Sequence, residues 1–237
     1  MPKASFSFPE SRPLVAGSIG DAGTLAAATP ESLADQCDIA EIRLDLLHCE
    51  FSTSGASLWQ HLRTFPLLFT ARRHAEGSPF DLDLRTRCTM LTTALPDASL
   101  IDIEAMSTSE MSGLIAEIVS QGVPWIASYH DFSSLPSRMK LNARAEIARE
   151  AGATAFKAAA RMRTPGDITE LAAFQMSDVG IPLATMGMGD LAPVSRLLCA
   201  QAGSVLNYGY IGKVETAPGQ WSAARLRECI HSLKPIC

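Results

Sequence analysis

The chain has 237 residues, 47% of them hydrophobic and 19% charged, with a formal net charge of −5. That balance excludes a disordered chain, and no Lys/Arg cluster suggests nucleic-acid or membrane binding. The length suits one α/β barrel of roughly 250 residues better than a two-layer domain. In chain order, strands are expected at 14–18, 39–44, 67–71, 100–104, 125–129, 155–158, 182–185 and 205–208. Most are short and rich in Ile, Val, Leu and Phe, as parallel strands covered on both faces should be. Helical segments fall between them at 107–121, 138–151, 164–177, 193–202 and 220–233. Gly122, Gly152 and Gly203 serve as stops, and Pro165 and Asp167 open the third of these segments. Eight strands alternating with helices predict a (β/α)8 TIM barrel, with residues 1–237 as one domain.

The cysteines at 37, 49, 88, 199, 229 and 237 form no CxxC pair and have no short spacing to histidine. This argues against a zinc site and a disulfide framework, and favours buried free thiols in a reducing compartment. Residues 1–12 have no continuous apolar core of a signal peptide, and no apolar run nears the roughly 20 residues that span a bilayer. A cytoplasmic protein is expected.

In such a barrel, chemistry collects at the C-terminal ends of the strands. The second strand ends in Glu41-Ile-Arg43-Leu-Asp45, whose alternation puts three charges on one face. They serve either an internal ion-pair network or a ligand. Arg72 and Glu76 follow the third strand, and Asp102 and Glu104 share one face of the fourth. His130 follows the fifth strand, where a group that moves protons near neutral pH is well placed. The sixth carries Lys157 inside the apolar run 153–160. An ammonium there costs several kcal/mol, roughly, to remove from water, whereas a neutral amine is cheaper and attacks carbonyl carbon. The bland alternative is a lysine that snorkels to solvent. Met186-Gly-Met188-Gly189 ends the seventh strand, with Arg196 in the helix beyond. After the last strand, Tyr208 leads into a glycine-containing loop of roughly ten residues that suits a lid. A lysine, a histidine, arginines and acids, with no metal set and no phosphate loop, point to a Schiff-base lyase or aldolase acting on an anionic substrate without a cofactor.

These stretches, in this order, resemble the type I 3-dehydroquinate dehydratase family. The matching motifs are ExRxD at 41–45, TxRxxxEG at 70–77, IDIE at 101–104, HDF at 130–132, FKAA around Lys157, MGMG with SR over 186–196, and APGQ at 217–220. The resemblance implies a (β/α)8 barrel and a homodimer that dehydrates 3-dehydroquinate to 3-dehydroshikimate in aromatic amino-acid biosynthesis, with no cofactor. It implies that Lys157 forms the imine with the substrate's C3 ketone. His130 takes the C2 proton and assists loss of the C1 hydroxyl, and Glu76 orients His130. Arg196 would bind the carboxylate. Glu41, Arg43, Arg72 and Gln220 would bind hydroxyls or the carboxylate, and Met186, Met188 and Tyr208 would form pocket walls. Three positions depart from the pattern. Ser78 replaces a second glycine, Tyr208 replaces a Phe, and Thr216 replaces a Ser while keeping a hydroxyl for binding.

Overall fold

The apolar runs become eight parallel strands in a computed structural model, which describes residues 6–8 and 12–233. They are β1 (Leu14–Ile19), β2 (Ile39–Arg43), β3 (Leu67–Thr70), β4 (Leu100–Glu104), β5 (Trp125–Asp131), β6 (Ala155–Arg161), β7 (Leu183–Met188) and β8 (Leu206–Tyr210). Each pairs with its sequence neighbours, and β1 also pairs with β8. The remaining seam lies between β7 and β8. There Val205 N–H donates to the Leu183 carbonyl at 2.9 Å, and Thr185 N–H donates to Ser204 Oγ at 3.2 Å. The result is a nearly closed (β/α)8 barrel.

Helices alternate with the strands: α1 (Ala22–Ala27), α2 (Pro30–Ala34), α3 (His48–Ser54), α4 (Leu84–Ala94), α5 (Ser112–Ser120), α6 (Arg138–Glu150), α7 (Pro165–Gln175), α8 (Ala192–Gln201) and α9 (Ala223–His231). Local chemistry sets their starts. Thr164 and Asp167 cap α7 reciprocally, with Pro165 at its first position. Among the described residues no helix is long and apolar enough to cross a membrane.

Period-2 alternation sorts the side chains. One apolar cluster, including Ile42, Phe69, Ile101, Trp125 and Phe156, fills the space between barrel and helices. A second fills the barrel with Leu14, Ala16, Ile39, Leu68, Leu100, Ile126, Ala155, Ala184 and Leu206, and Phe6 and Phe8 pack against it. Above that layer the inward positions turn polar, with Glu41, Thr70, Asp102, Ser128 and Lys157 all buried. The barrel thus holds an apolar floor under a charged chamber.

Several boundaries differ from the sequence expectation. β5 and β6 run past 129 and 158, because their ladder continues through Tyr129–Ala158, His130–Ala159 and Asp131–Ala160. Main-chain pairing does not require apolar side chains, so His130 lies within a strand. β7 likewise includes Met186 and Met188. The expected helix at 107–121 is shortened to α5, preceded by a 3-10 turn over Ala105–Ser107. The last helix begins only at Ala223, after the Ser222 cap. The thiols need a correction too. Cys37 and Cys199 are buried, but Cys49 is exposed and Cys88 and Cys229 are half-buried; all five are free. These last three sit on α3, α4 and α9, the outer layer. Cys237 lies outside the described residues.

Gly209 shows how tightly α9 sits on the barrel. A Cβ there would lie 2.5 Å from Ala223 Cα and 2.6 Å from its nitrogen. Backbone cannot yield as a flexible side chain does. Gly209→Ala is therefore expected to destabilise the protein by about 1–3 kcal/mol, read as a lower urea midpoint with an unchanged m-value.

Candidate active site

Six of the eight strands, the loops after β3, β5 and β8, and helix α8 feed one cavity at the C-terminal end of the barrel. Its empty volume is about 480 Å³, part of it open to solvent. All twelve expected site residues line it: Glu41, Arg43, Arg72, Glu76, His130, Lys157, Met186, Met188, Arg196, Tyr208, Thr216 and Gln220.

Lys157 does not snorkel. It is 4% exposed, donates to Asp102 Oδ2 at 2.9 Å, and lies 4.0 Å from the centre of the Tyr208 ring. Asp102 also accepts from Arg72 at 2.9 Å and from Ser128 Oγ at 2.5 Å. Burial alone would raise the Asp102 carboxyl, but Arg72 and Lys157 outweigh it and hold it at about 2. For Lys157 the balance goes the other way. Burial lowers its ammonium's pKa below the ordinary value, Arg72 pushes the same way, and the attraction of Asp102 only partly offsets them. The site therefore favours a neutral amine more than water does.

Arg72 anchors the cluster. Besides Asp102 it reaches Glu104 at 3.1 Å and Ser128 Oγ at 2.6 Å. Arg87, from α4, closes on the other oxygen of Glu104. On the next strand round, Glu41 accepts from Thr70 Oγ1 at 2.8 Å and from Ser18 Oγ. Arg43 is held by both oxygens of Asp45 at 2.8 and 2.9 Å. Asp45 lies beyond the end of β2 and turns back to hold Arg43. Of the three alternating charges, only Glu41 and Arg43 line the cavity.

Glu76 is buried in the turn after β3. One oxygen accepts the His130 backbone N–H at 2.9 Å and lies 3.1 Å from His130 Nδ1. Burial pushes Glu76 up to about 7 despite Arg72. It pushes His130 well down, and the cations Arg72, Lys157 and Arg43 add to that. At neutral pH the imidazole is an unprotonated base with a fixed orientation. Gly77, at φ +103°, leaves room for the Phe132 ring, which a Cβ would meet at 2.3 Å. Ser78 is buried; its carbonyl lies 2.8 Å from His74 Nδ1 and its hydroxyl accepts the Phe80 N–H, so it secures this turn.

Arg196 enters from α8, 1% exposed, with one nitrogen on the Tyr208 carbonyl and Nε free of any protein partner. Burial lowers it to about 10, still a cation at neutral pH. The segment 211–222 crosses above. Gln220 Oε1 accepts from Thr216 N–H at 3.1 Å and Oγ1 at 2.9 Å, and Gly189 N–H donates to the Pro218 carbonyl at 3.0 Å.

Asp102 is the residue that sequence reasoning left without a role in the site. The signal was present in an acid that alternates with apolar residues on a buried strand. What the spacing could not show was that it faces Lys157 two strands away. Ser18, Phe132, Ala159 and Ala217 also line the cavity unannounced; small or apolar side chains carry no such signal.

The family model for type I 3-dehydroquinase matches residues 13–236. The chain belongs to the type I 3-dehydroquinase family. It is 31% identical over 229 residues to the 3-dehydroquinate dehydratase of Haloquadratum walsbyi, covering 90% of this chain and 93% of that one. It is 30% identical over 237 residues to the 3-dehydroquinate dehydratase of Neisseria meningitidis serogroup C, covering 94% and 90%. The solved structure of the 3-dehydroquinate dehydratase from Enterococcus faecalis has the same fold, with a TM-score of 0.81 at 24% identity over 96% of this chain and 97% of that one.

Asp102→Asn tests the charge balance. Removing the anion leaves two buried cations without their shared partner, so stability is expected to fall by about 3–5 kcal/mol. In the folded fraction the Lys157 ammonium loses its stabilising anion, so its pKa falls further. The pH at which an amine-directed reagent begins to label Lys157 is then expected to move to lower values, as measured by peptide mass spectrometry.

Proposed function

We propose that this chain dehydrates 3-dehydroquinate to 3-dehydroshikimate through a Schiff base on Lys157. The observation that carries the reading is a buried lysine held by an acid, with an oriented, unprotonated histidine on the neighbouring strand of the same cavity. The family and the names of its relatives support the substrate.

The steps follow from the groups. Lys157 in its neutral form attacks the C3 carbonyl, and proton transfers through His130 carry the carbonyl oxygen off as water to give a protonated imine. The iminium is a better electron sink than the ketone, so the C2 proton becomes acidic enough for His130 to remove. The resulting enamine pushes out the C1 hydroxyl, which takes the proton from His130 and leaves as water. Hydrolysis of the imine returns the amine and releases the enone. Glu76 fixes the His130 ring and balances the imidazolium that forms in between. Arg196, a buried cation at the cavity wall whose Nε has no protein partner, takes the carboxylate, while Glu41, Arg43, Arg72, Thr216 and Gln220 meet the oxygens of the ring. Met186, Met188 and the face of Tyr208 supply apolar walls. By the same resemblance the protein works in the cytoplasm as a homodimer in aromatic amino-acid biosynthesis, with no cofactor.

An aldolase acting on a phosphorylated sugar acid is the competing Schiff-base reading. It calls for a phosphate cradle after β7 and β8, where this chain places Met186 and Met188. Borohydride added during turnover of 3-dehydroquinate is expected to fix product-derived mass on Lys157. Turnover without that adduct refutes the lysine assignment. His130→Ala is expected to lower kcat by about 10²–10⁴-fold while still allowing some trapping at Lys157; full activity in that variant removes His130 from the mechanism.

A further inference from the structure

Two cavity-lining side chains carry a buried polar atom with no hydrogen-bond partner among the described residues: Arg196 at Nε and Tyr208 at its hydroxyl. Arg196 is a cation, and the proposed carboxylate accounts for it. Tyr208 has no such account. It is 3% exposed, and its ring already serves Lys157 by lying 4.0 Å below the ammonium nitrogen. A phenylalanine would supply that ring equally well. The hydroxyl is therefore surplus to packing, and a buried hydroxyl without a partner is rare because it forfeits its hydrogen bonds to water.

The nearby acids are bonded to other groups and not to it. Glu41 is engaged by Ser18 and Thr70, and Asp102 by Arg72, Ser128 and Lys157. Burial, with Asp102 and Glu41 nearby, keeps the phenol protonated far above neutral pH. It is thus a neutral group that both donates and accepts, and its natural counterpart is another neutral hydroxyl. We infer that the Tyr208 hydroxyl is a specificity contact, hydrogen-bonding a ring hydroxyl of the polyhydroxylated cyclic ketone whose carbonyl Lys157 takes. This rests on the dehydratase reading and adds a residue to the set that selects the substrate. The contact acts on ground-state binding, because the phenol is not needed for proton transfer at C2 or C1.

Tyr208→Phe removes one oxygen and keeps the ring. The expected result is a KM raised roughly tenfold with kcat within about threefold of the parent protein, and a thermal midpoint no lower than the parent's. Substrate analogues lacking one ring hydroxyl complete a cycle. The analogue missing the partner hydroxyl should bind the parent protein roughly tenfold more weakly than the full compound, and should show no such deficit in the variant. A kcat/KM within twofold of the parent, or the same deficit for every analogue in both proteins, overturns the contact. Should the variant fold poorly, the analogue series on the parent protein decides, and no deficit for any analogue overturns it. The two readings fail separately. A parent protein that neither turns over dehydroquinate nor traps it at Lys157 sinks both, whereas an active parent with an indifferent variant sinks only the hydroxyl contact.

Discussion

Asp102 sits buried between two cations, Arg72 and Lys157, inside the barrel, and the rest of the site depends on that arrangement. An isolated ammonium in such a place costs several kcal/mol, roughly, and would be expelled or neutralised. The acid makes the lysine tolerable, and the second cation keeps the acid from holding the lysine's proton too firmly. Each member is necessary to the others. Without Arg72, burial would drive the Asp102 carboxyl up and leave it a poor partner. Without Asp102, two like charges would face each other in a medium that screens them weakly. The ion pairs therefore serve less to stabilise the fold than to fix a lysine whose amine is close to free.

The same low dielectric divides labour between the other titratable groups. Burial raises an acid and lowers a base, so Glu76 and His130 are shifted in opposite directions. The unprotonated imidazole is ready to accept a proton, and in a medium that disfavours its charge it gives that proton up again readily. That property suits a histidine that must act as a base in one step and an acid in the next. The orientation comes from the backbone as much as from the ring, since one Glu76 oxygen meets both His130 N–H and Nδ1. Extension of β5 through Asp131 makes that possible, because it fixes the main-chain donor on which Glu76 rests.

Much of this was legible in the sequence, for a physical reason. A strand buried on both faces has no cause to carry charge, so Glu41, Arg43, Asp102, Lys157 and His130 each stood out against an apolar background. Pairings across strands were not legible. Alternation shows which face a residue takes, but the partner depends on register and on side-chain reach, neither of which is local. Asp102 was thus seen as one of two acids on a face and not as the neighbour of Lys157. The strand ends at β5, β6 and β7 were misjudged because hydrophobicity fades before main-chain pairing does. The exposed Cys49 was misjudged because it sits on α3, a short and mostly polar helix that buries none of its residues.

Cover over the site is set by glycine rather than by apolar contact. At Gly219, φ is +73° and a Cβ would come within 2.1 Å of the Gly189 carbonyl, so only a bare backbone can approach the β7 loop so closely. Next to that contact, Pro218 accepts from Gly189 N–H, and Gln220 ties back to Thr216. The segment 211–222 is fastened by main-chain groups and by the Gln220–Thr216 pair, none of which bonds to Arg196 or Glu41. That leaves the cavity's own polar atoms free to be satisfied by what enters it. A lid fastened through its side chains to Arg196 or Glu41 would compete with the substrate for them. Fastened as it is, it covers the cavity, which strengthens the charge interactions beneath it, and of the groups the proposed reaction uses it engages only its own Thr216 and Gln220.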